Sequence, residues 1–240
     1  MANVKMEIAN ANVNSFKSIF NSLNTIVDTL TFECYQDRVE INALDKSHTV
    51  FISCVMGNSY FCSYECNEED RFGIDTTEFR KIVKSCKDSL ILEFDNEAVI
   101  INSNSKTFKI FQVNDDLNTP KPPEMEYFVS FEIPISFLKS MLKDIELFAK
   151  VVTLKSSGNQ VSFSCEGTSG KFNETYTVDD DFSLKKVSIS TEKFATCIAS
   201  DKVSDNVELQ IETDSPLILK QSAEGIKLNY LIAPRIDVSE

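Results

Sequence analysis

Two stretches of the chain repeat one another across a fixed interval. Residues 13–42, VNSFKSIFNSLNTIVDTLTFECYQDRVEIN, align without a gap on residues 135–164, ISFLKSMLKDIELFAKVVTLKSSGNQVSFS, at an offset of 122. Ile19, Phe20, Leu23, Thr31, Phe32, Val39 and Ile41 meet Met141, Leu142, Ile145, Thr153, Leu154, Val161 and Phe163, and Lys17 meets Lys139. A second echo sets GIDTTEFRKIVKS (Gly73 to Ser85) beside SISTEKFATCIAS (Ser188 to Ser200), with Ile74, Phe79 and Val83 facing Ile189, Phe194 and Ile198. An interval this long is unlike the short periods of solenoids and propellers and reads as duplication of a whole domain. The expected units are residues 1–114 and 129–240, joined by a Pro-rich connector over 115–128.

Each half offers two amphipathic helices in the same order. Asn14 to Asp28 turns Phe16, Ile19, Phe20, Leu23 and Ile26 inward and leaves Lys17, Ser18 and Asn24 outside. With Asp75 as N-cap, the second helix buries Phe79, Ile82 and Val83 and leaves Arg80, Lys81, Lys84 and Lys87 exposed. Ser136 to Lys150 buries Phe137, Leu138, Met141, Leu142 and Ile145 and carries Lys139 and Lys143; Thr191 to Asp201 has Lys193 and Lys202 at its ends. Between the helices, runs such as TLTFECYQDRVEINALD, HTVFISCVM, SLILEFDNEAVIINSNSKTFKIFQV, VVTLKSSGNQVSFSCEG and VELQIETDSPLILKQSAEGIKLNYLIAP read as antiparallel hairpins. The fold class is therefore α+β, with helices on one face of a meandering sheet in each half.

The formal charge of −13 argues for a self-repelling surface and, taken as an average, against nucleic acid. The distribution points the other way. Lysines sit on the helices, while acids crowd NEED (Asn67 to Asp70), NDD (Asn114 to Asp116) and DDD (Asp179 to Asp181). If the four helices face one way, they form a single positive surface fit for phosphate. Without a Gly-rich phosphate loop or outward aromatics, that surface suits backbone contact and no base reading. Helix by helix, the alternative is an ordinary solvated face.

No apolar run approaches the ~20 residues of a membrane span, and MANVKMEIANANV lacks the apolar core of a secretory signal. The chain is expected to be intracellular, with no membrane partner. Its seven cysteines are then read as small buried hydrophobes. A metal site from Cys62, Cys66 and His48 is the alternative, but CxxxC stands alone with a single His in the chain, so neither metal nor cofactor is expected.

NALDKSHTVFIS (Asn42 to Ser53), FGIDTTEFRKIVK (Phe72 to Lys84), TPKPPEMEY (Thr119 to Tyr127), DSPLIL (Asp214 to Leu219) and YLIAPRI (Tyr230 to Ile236) follow one another in an order and spacing that resembles the proliferating cell nuclear antigen family of archaeal and eukaryotic DNA sliding clamps. The resemblance covers essentially the full length. It implies a ring of three subunits with sheet outside and helices inside, surrounding duplex DNA, and a tethering role without catalysis. The implied location is the nucleus in a eukaryote or the cytoplasm and nucleoid in an archaeon. Carried over by position, the DNA-facing residues are Lys17, Arg80, Lys81, Lys84, Lys87, Lys139, Lys143, Lys193 and Lys202. The pocket that takes short segments of polymerase, clamp loader, ligase and nuclease falls on Leu44, His48, Pro122, Pro123, Tyr127, Pro216, Leu231, Ile232, Ala233 and Pro234. Subunit contact, by homotrimer formation, falls on Thr107 to Val113 and Lys171 to Val178, with Phe108, Ile110, Phe172 and Tyr176 as apolar contacts. The chain departs from the family in its single Lys on the first helix, in its NTPKPPE connector and in IAPR where LAPK is usual. A subunit of a hetero-oligomeric, virus-encoded or checkpoint-type clamp is the second reading, and a Cys-His hydrolase using His48 the third.

Overall fold

The computed structural model describes residues 4–8, 10–95, 97–113, 119–123, 125, 127, 129–182 and 186–235. The acidic run Asn114 to Asp116, both expected ends of the connector, its Glu124 and Glu126, and Ile236 lie outside these residues. The first repeat contains β1 (Val4–Ile8), α1 (Asn10–Ile26), β2 (Thr29–Cys34), β3 (Arg38–Leu44), β4 (Val50–Gly57), a 3-10 turn (Asn58–Tyr60), β5 (Ser63–Cys66), β6 (Asp70–Asp75), α2 (Thr76–Ser85), β7 (Leu90–Phe94), β8 (Ala98–Ser103) and β9 (Lys106–Phe111). The second contains β10 (Val129–Pro134), α3 (Ile135–Ile145), β11 (Val151–Gly167), β12 (Gly170–Phe182), β13 (Val187–Ser190), α4 (Thr191–Cys197), β14 (Asn206–Ile211), β15 (Leu217–Ala223) and β16 (Ile226–Ile232).

By contact the chain forms two compact units. One comprises Met1–Pro122, Ala199–Val203 and Ser222–Asn229, the other Pro123–Ile198, Ser204–Gln221 and Tyr230–Glu240. In the first unit an antiparallel sheet runs β5-β1-β7-β8-β9, and a second runs β6-β2-β3-β4, with β16 on the far side of β4. In the second unit β10, β14 and β15 are neighbours, and β12-β11-β13 form a separate sheet. The single meandering sheet expected in each half is thus two sheets. The cause is that the strand after the first helix pairs with the strand before the second helix, as in β2 with β6, and never reaches β7.

The duplication extends to strand register. Thr29, Leu30 and Thr31 pair with Asp75, Ile74 and Gly73, and their equivalents Val151, Val152 and Thr153 pair with Ser190, Ile189 and Ser188. Val39 and Ile41 pair with Met56 and Cys54 as Val161 and Phe163 pair with Tyr176 and Glu174. β11 is itself the counterpart of the β2–β3 hairpin: the Ser164 and Ser162 hydroxyls donate to the Thr153 and Lys155 carbonyls at 3.4 and 3.3 Å, so its two arms lie side by side. Between those arms Gly158 takes φ +59°, a left-handed turn position that Gly adopts without a Cβ penalty. Even the entry to the later helix repeats, with Thr76 N–H on the Asp28 carbonyl at 2.9 Å and Thr191 N–H on that of Lys150 at 3.1 Å.

The two cores are filled differently. In the first unit Phe16 and Phe20 stand 4.6 Å apart between ring centroids, Phe20 and Phe79 4.7 Å, and Phe32 and Phe94 5.2 Å. At the equivalents of Phe16, Phe20 and Phe32 the second unit buries Leu138, Leu142 and Leu154. Volume and pattern were retained while identity drifted, as cores tolerate.

Candidate functional site

Asp75 caps α2 as expected, accepting from the Glu78 N–H at 2.8 Å. Its basic residues then divide into two kinds. Arg80 is half-buried and donates through Nε to Asn21 Oδ1 of α1 at 2.8 Å, and Lys17 of α1 reaches across to the Cys86 carbonyl at the end of α2. These two cations fasten the helices to each other. Lys81, Lys84 and Lys87 are exposed, Lys81 beside Glu78 at 2.8 Å. An exposed pair of this kind contributes little stability and leaves the ammonium available.

On α3, Lys139 and Lys143 are exposed. Lys193 is half-buried on α4, and Lys202, exposed and 4.0 Å from Asp201, lies beyond the end of that helix. Several positions differ from the sequence pattern. Ser18, assigned to the outer face, is buried and returns its hydroxyl to the Ser15 carbonyl at 2.9 Å. Ile26, Ile82 and Phe137, assigned to the core, are only half-buried. Ile82 lies at the margin of the stripe that buries Phe79 and Val83, and Phe137 leaves the helix to meet Phe163 and Tyr176, at 6.0 and 5.1 Å between centroids. The helices α1, α3 and α4 also begin or end several residues from the expected bounds. At α3 the last turn tightens, with Phe148 and Ala149 N–H both donating to the Ile145 carbonyl at 2.9 Å.

The residues assigned to the docking pocket fall in both units. In the first, Leu44 is half-buried at the end of β3 and His48 is exposed with φ +55°. Asp45 shapes that loop by accepting from the Thr49 and Val50 N–H groups at 2.6 and 2.8 Å. Pro122 is exposed. In the second, Pro123 is exposed, and the Tyr127 hydroxyl donates to the Pro216 carbonyl at 2.7 Å. Burial and the nearby Glu212 push the Tyr127 phenol up to about 12, so it remains a donor at neutral pH. Leu231 and Ile232 are buried, Ala233 and Pro234 half-buried, and Arg235 N–H pins the tail to the Ser188 carbonyl at 2.7 Å.

β9 and β12 are each the last strand of their sheet. Phe108, Ile110, Phe172 and Tyr176 are half-buried along them, and Phe111 is 71 % exposed with Lys109 over its ring at 5.5 Å. Of the cysteines, Cys34, Cys54, Cys86, Cys165 and Cys197 are buried, whereas Cys62 is exposed and Cys66 half-buried. Among the described residues, no helix is long and apolar enough to cross a membrane.

One group escaped the sequence reading. Glu33 on β2 is buried at 5 % exposure, accepting from Arg71 Nη2 at 3.0 Å, from the Tyr35 hydroxyl at 3.3 Å and from the Thr119 hydroxyl. The available signal was an acid placed inside the apolar run LTFEC.

The family profile of the proliferating cell nuclear antigen N-terminal domain matches residues 4–119. The DNA polymerase sliding clamp of Methanothermobacter thermautotrophicus is 29 % identical over 98 % of this chain and 99 % of its own. That of Methanobrevibacter smithii is also 29 % identical, with the same coverage of 98 % and 99 %. Among solved structures, the proliferating cellular nuclear antigen of Entamoeba histolytica superimposes with a TM-score of 0.89 at 21 % identity, covering 98 % of this chain and 100 % of that one. The Thermococcus kodakaraensis protein gives 0.85 at 19 %, covering 97 % and 100 %. In sequence along its whole length, and in fold, the chain is similar to the proliferating cell nuclear antigen family.

Proposed function

We propose that this chain is a sliding clamp: a non-catalytic subunit that joins others like it, three in the ring the family resemblance implies, to enclose duplex DNA and hold a polymerase on its template. The observation that carries the reading is an unfinished symmetry. β12 is the counterpart of β4, and β9, through the matching β8–β9 and β15–β16 hairpins, is the counterpart of β16. β4 has β16 at its side, whereas β12 and β9 each end a sheet. Ile52 and Met56 on β4 and Leu228 and Tyr230 on β16 are all 0 % exposed, yet their equivalents Phe172, Tyr176, Phe108 and Ile110 remain partly open. Setting β9 of one copy against β12 of the next repeats a joint already made inside the chain. Such a head-to-tail contact closes a ring when the rotation per copy divides the circle.

The charges along the two edges favour self-pairing over a mixed ring. β9 carries Lys106 and Lys109, and β12 carries Glu174 and Asp179 to Asp181. Inside such a ring the exposed lysines of α2 and α3 supply phosphate contacts without base reading, which lets the ring slide. Tyr127, Pro216, Ala233 and Pro234 of the second unit are partly open and offer apolar contact to a partner's short segment. A polymerase docked there stays at high effective concentration over the primer end. Light scattering tests the assembly: the expected mass is three times 27.1 kDa. Tyr176→Asp should give single chains with unchanged circular dichroism and should abolish polymerase stimulation. A wild-type chain that stays single at every concentration, or a Tyr176→Asp variant that still forms trimers, overturns the reading.

A further inference from the structure

Within the Pro-rich connector, the segment Thr119 to Tyr127 carries a polar pin at each end. At its far end, the Tyr127 hydroxyl donates to the Pro216 carbonyl at 2.7 Å, within the second unit. At its start, within the first unit, the Thr119 hydroxyl donates to Oε1 of Glu33. The Glu33 site is a built one. Glu33 faces Arg71 as its cross-strand partner between β2 and β6, and its Oε2 takes both the Arg71 guanidinium, at 3.0 Å, and the Tyr35 hydroxyl, at 3.3 Å. Arg71 is itself half open to solvent, beside a cavity of about 470 Å³ lined by Glu33, Cys34, Tyr35, Glu69, Asp70 and Arg71.

A carboxylate at 5 % exposure is tolerated only while donors satisfy it. Arg71 and Tyr35 converge on one oxygen, and the Thr119 hydroxyl donates to the other. The carboxylate thus favours the connector seated with Thr119 on β2. Beyond Thr119 come Pro120, Pro122 and Pro123, whose fixed φ angles make this run stiff. A stiff strap passes the position of its first pin to the residues that follow, as a Gly-rich strap would not.

We propose that Glu33, backed by Arg71, is a positioning residue for partner docking: it latches the start of the connector, and releasing the latch weakens capture of a partner segment that lies against it. This rests on the docking surface assigned above. The test compares full-length wild type with Thr119→Val, which removes the hydroxyl at nearly constant shape, with Glu33→Gln and with Thr119→Ser. Hydrogen exchange over residues 119–127 reads the latch itself. Calorimetry with a synthetic peptide carrying one glutamine and two aromatic residues, the kind of partner segment the family resemblance implies, reads its consequence.

Thr119→Val and Glu33→Gln should speed exchange in the connector while that of α1 and β3 stays unchanged. The same two variants should weaken the peptide by about 3- to 10-fold, the scale of one hydrogen bond to a charged group partly transmitted. Thr119→Ser should restore both. Unchanged connector exchange in Thr119→Val, or peptide affinity equal in all four proteins, overturns the latch. A peptide that fails to bind wild type while connector exchange still responds overturns the docking reading instead.

Discussion

Tyr127 shows how much a single side chain contributes. Its phenol titrates near 10 when unperturbed and near 12 here. The folded state therefore holds this proton more tightly than the unfolded one. The stability linked to it is complete below pH 10 and is lost as pH rises through about 12. Denaturant midpoints should thus fall more steeply between pH 10 and 12 in wild type than in Tyr127→Phe, which has no proton to lose; parallel curves would show the hydroxyl to be unimportant. The sequence could mark Tyr127 as a site residue but could not supply its acceptor, because Pro216 lies 89 positions away. The same holds for Glu33, whose partners Arg71 and Thr119 come from β6 and from the connector. Asp75 was legible because an N-cap bonds three residues ahead, a local interaction that spacing alone reveals.

Among elements, α2 was nearly complete in the sequence, and the strands β1, β6, β10 and β13 were not recognised. β1 and β10 alternate cleanly, with Val4, Met6 and Ile8 and then Val129, Phe131 and Ile133 buried. Each is only five or six residues long and runs almost directly into a helix, so it offers no turn signal between them. β6 contains Gly73 and two acids, a composition depleted in strands, and forms because β2 supplies a partner in register. Propensity lost there to tertiary pairing. The basic faces of α2 and α3 carry the next prediction. Replacing Lys81, Lys84, Lys139 and Lys143 together by Ala removes exposed ammonium groups and no core atom. Thermal unfolding should move by no more than a few degrees, while retention on closed circular DNA and processive synthesis fall by about tenfold or more at physiological salt. Unchanged processivity would remove these helices from the DNA path.

For the whole molecule, duplication was the most legible feature, and the structure extends it from elements to strand registers, because equivalent strands pair in equivalent ways. What it could not give was the exchange of the last hairpin, whose tip, Ser222–Asn229, belongs to the first unit. Charge at this scale leads to a salt prediction. A ring of three chains carries 3 × −13 = −39, a repulsion acting over tens of ångströms, whereas any Lys106 and Lys109 pairing with Asp179 to Asp181 acts over a few. The Debye length shortens from about 30 Å at 0.01 M to about 10 Å at 0.1 M and about 3 Å at 1 M. Raising salt to about 0.15 M should therefore strengthen assembly by screening the long-range term, and salt near 1 M should weaken it by reaching the close pairs. Trimer affinity that changes in only one direction would show that one of the two terms is negligible. The hairpin tip has a consequence for synthesis. Gly225, at φ +71°, sits so close over Ser59 and Tyr60 that any Cβ would strike the Tyr60 amide, and its carbonyl accepts from the Gly57 N–H at 2.8 Å. A chain emerging from the ribosome must make 225 − 57 = 168 further residues before β4 receives that neighbour. At about 5–20 residues per second this is roughly 8–34 s with a strand edge open to whatever else is being made nearby.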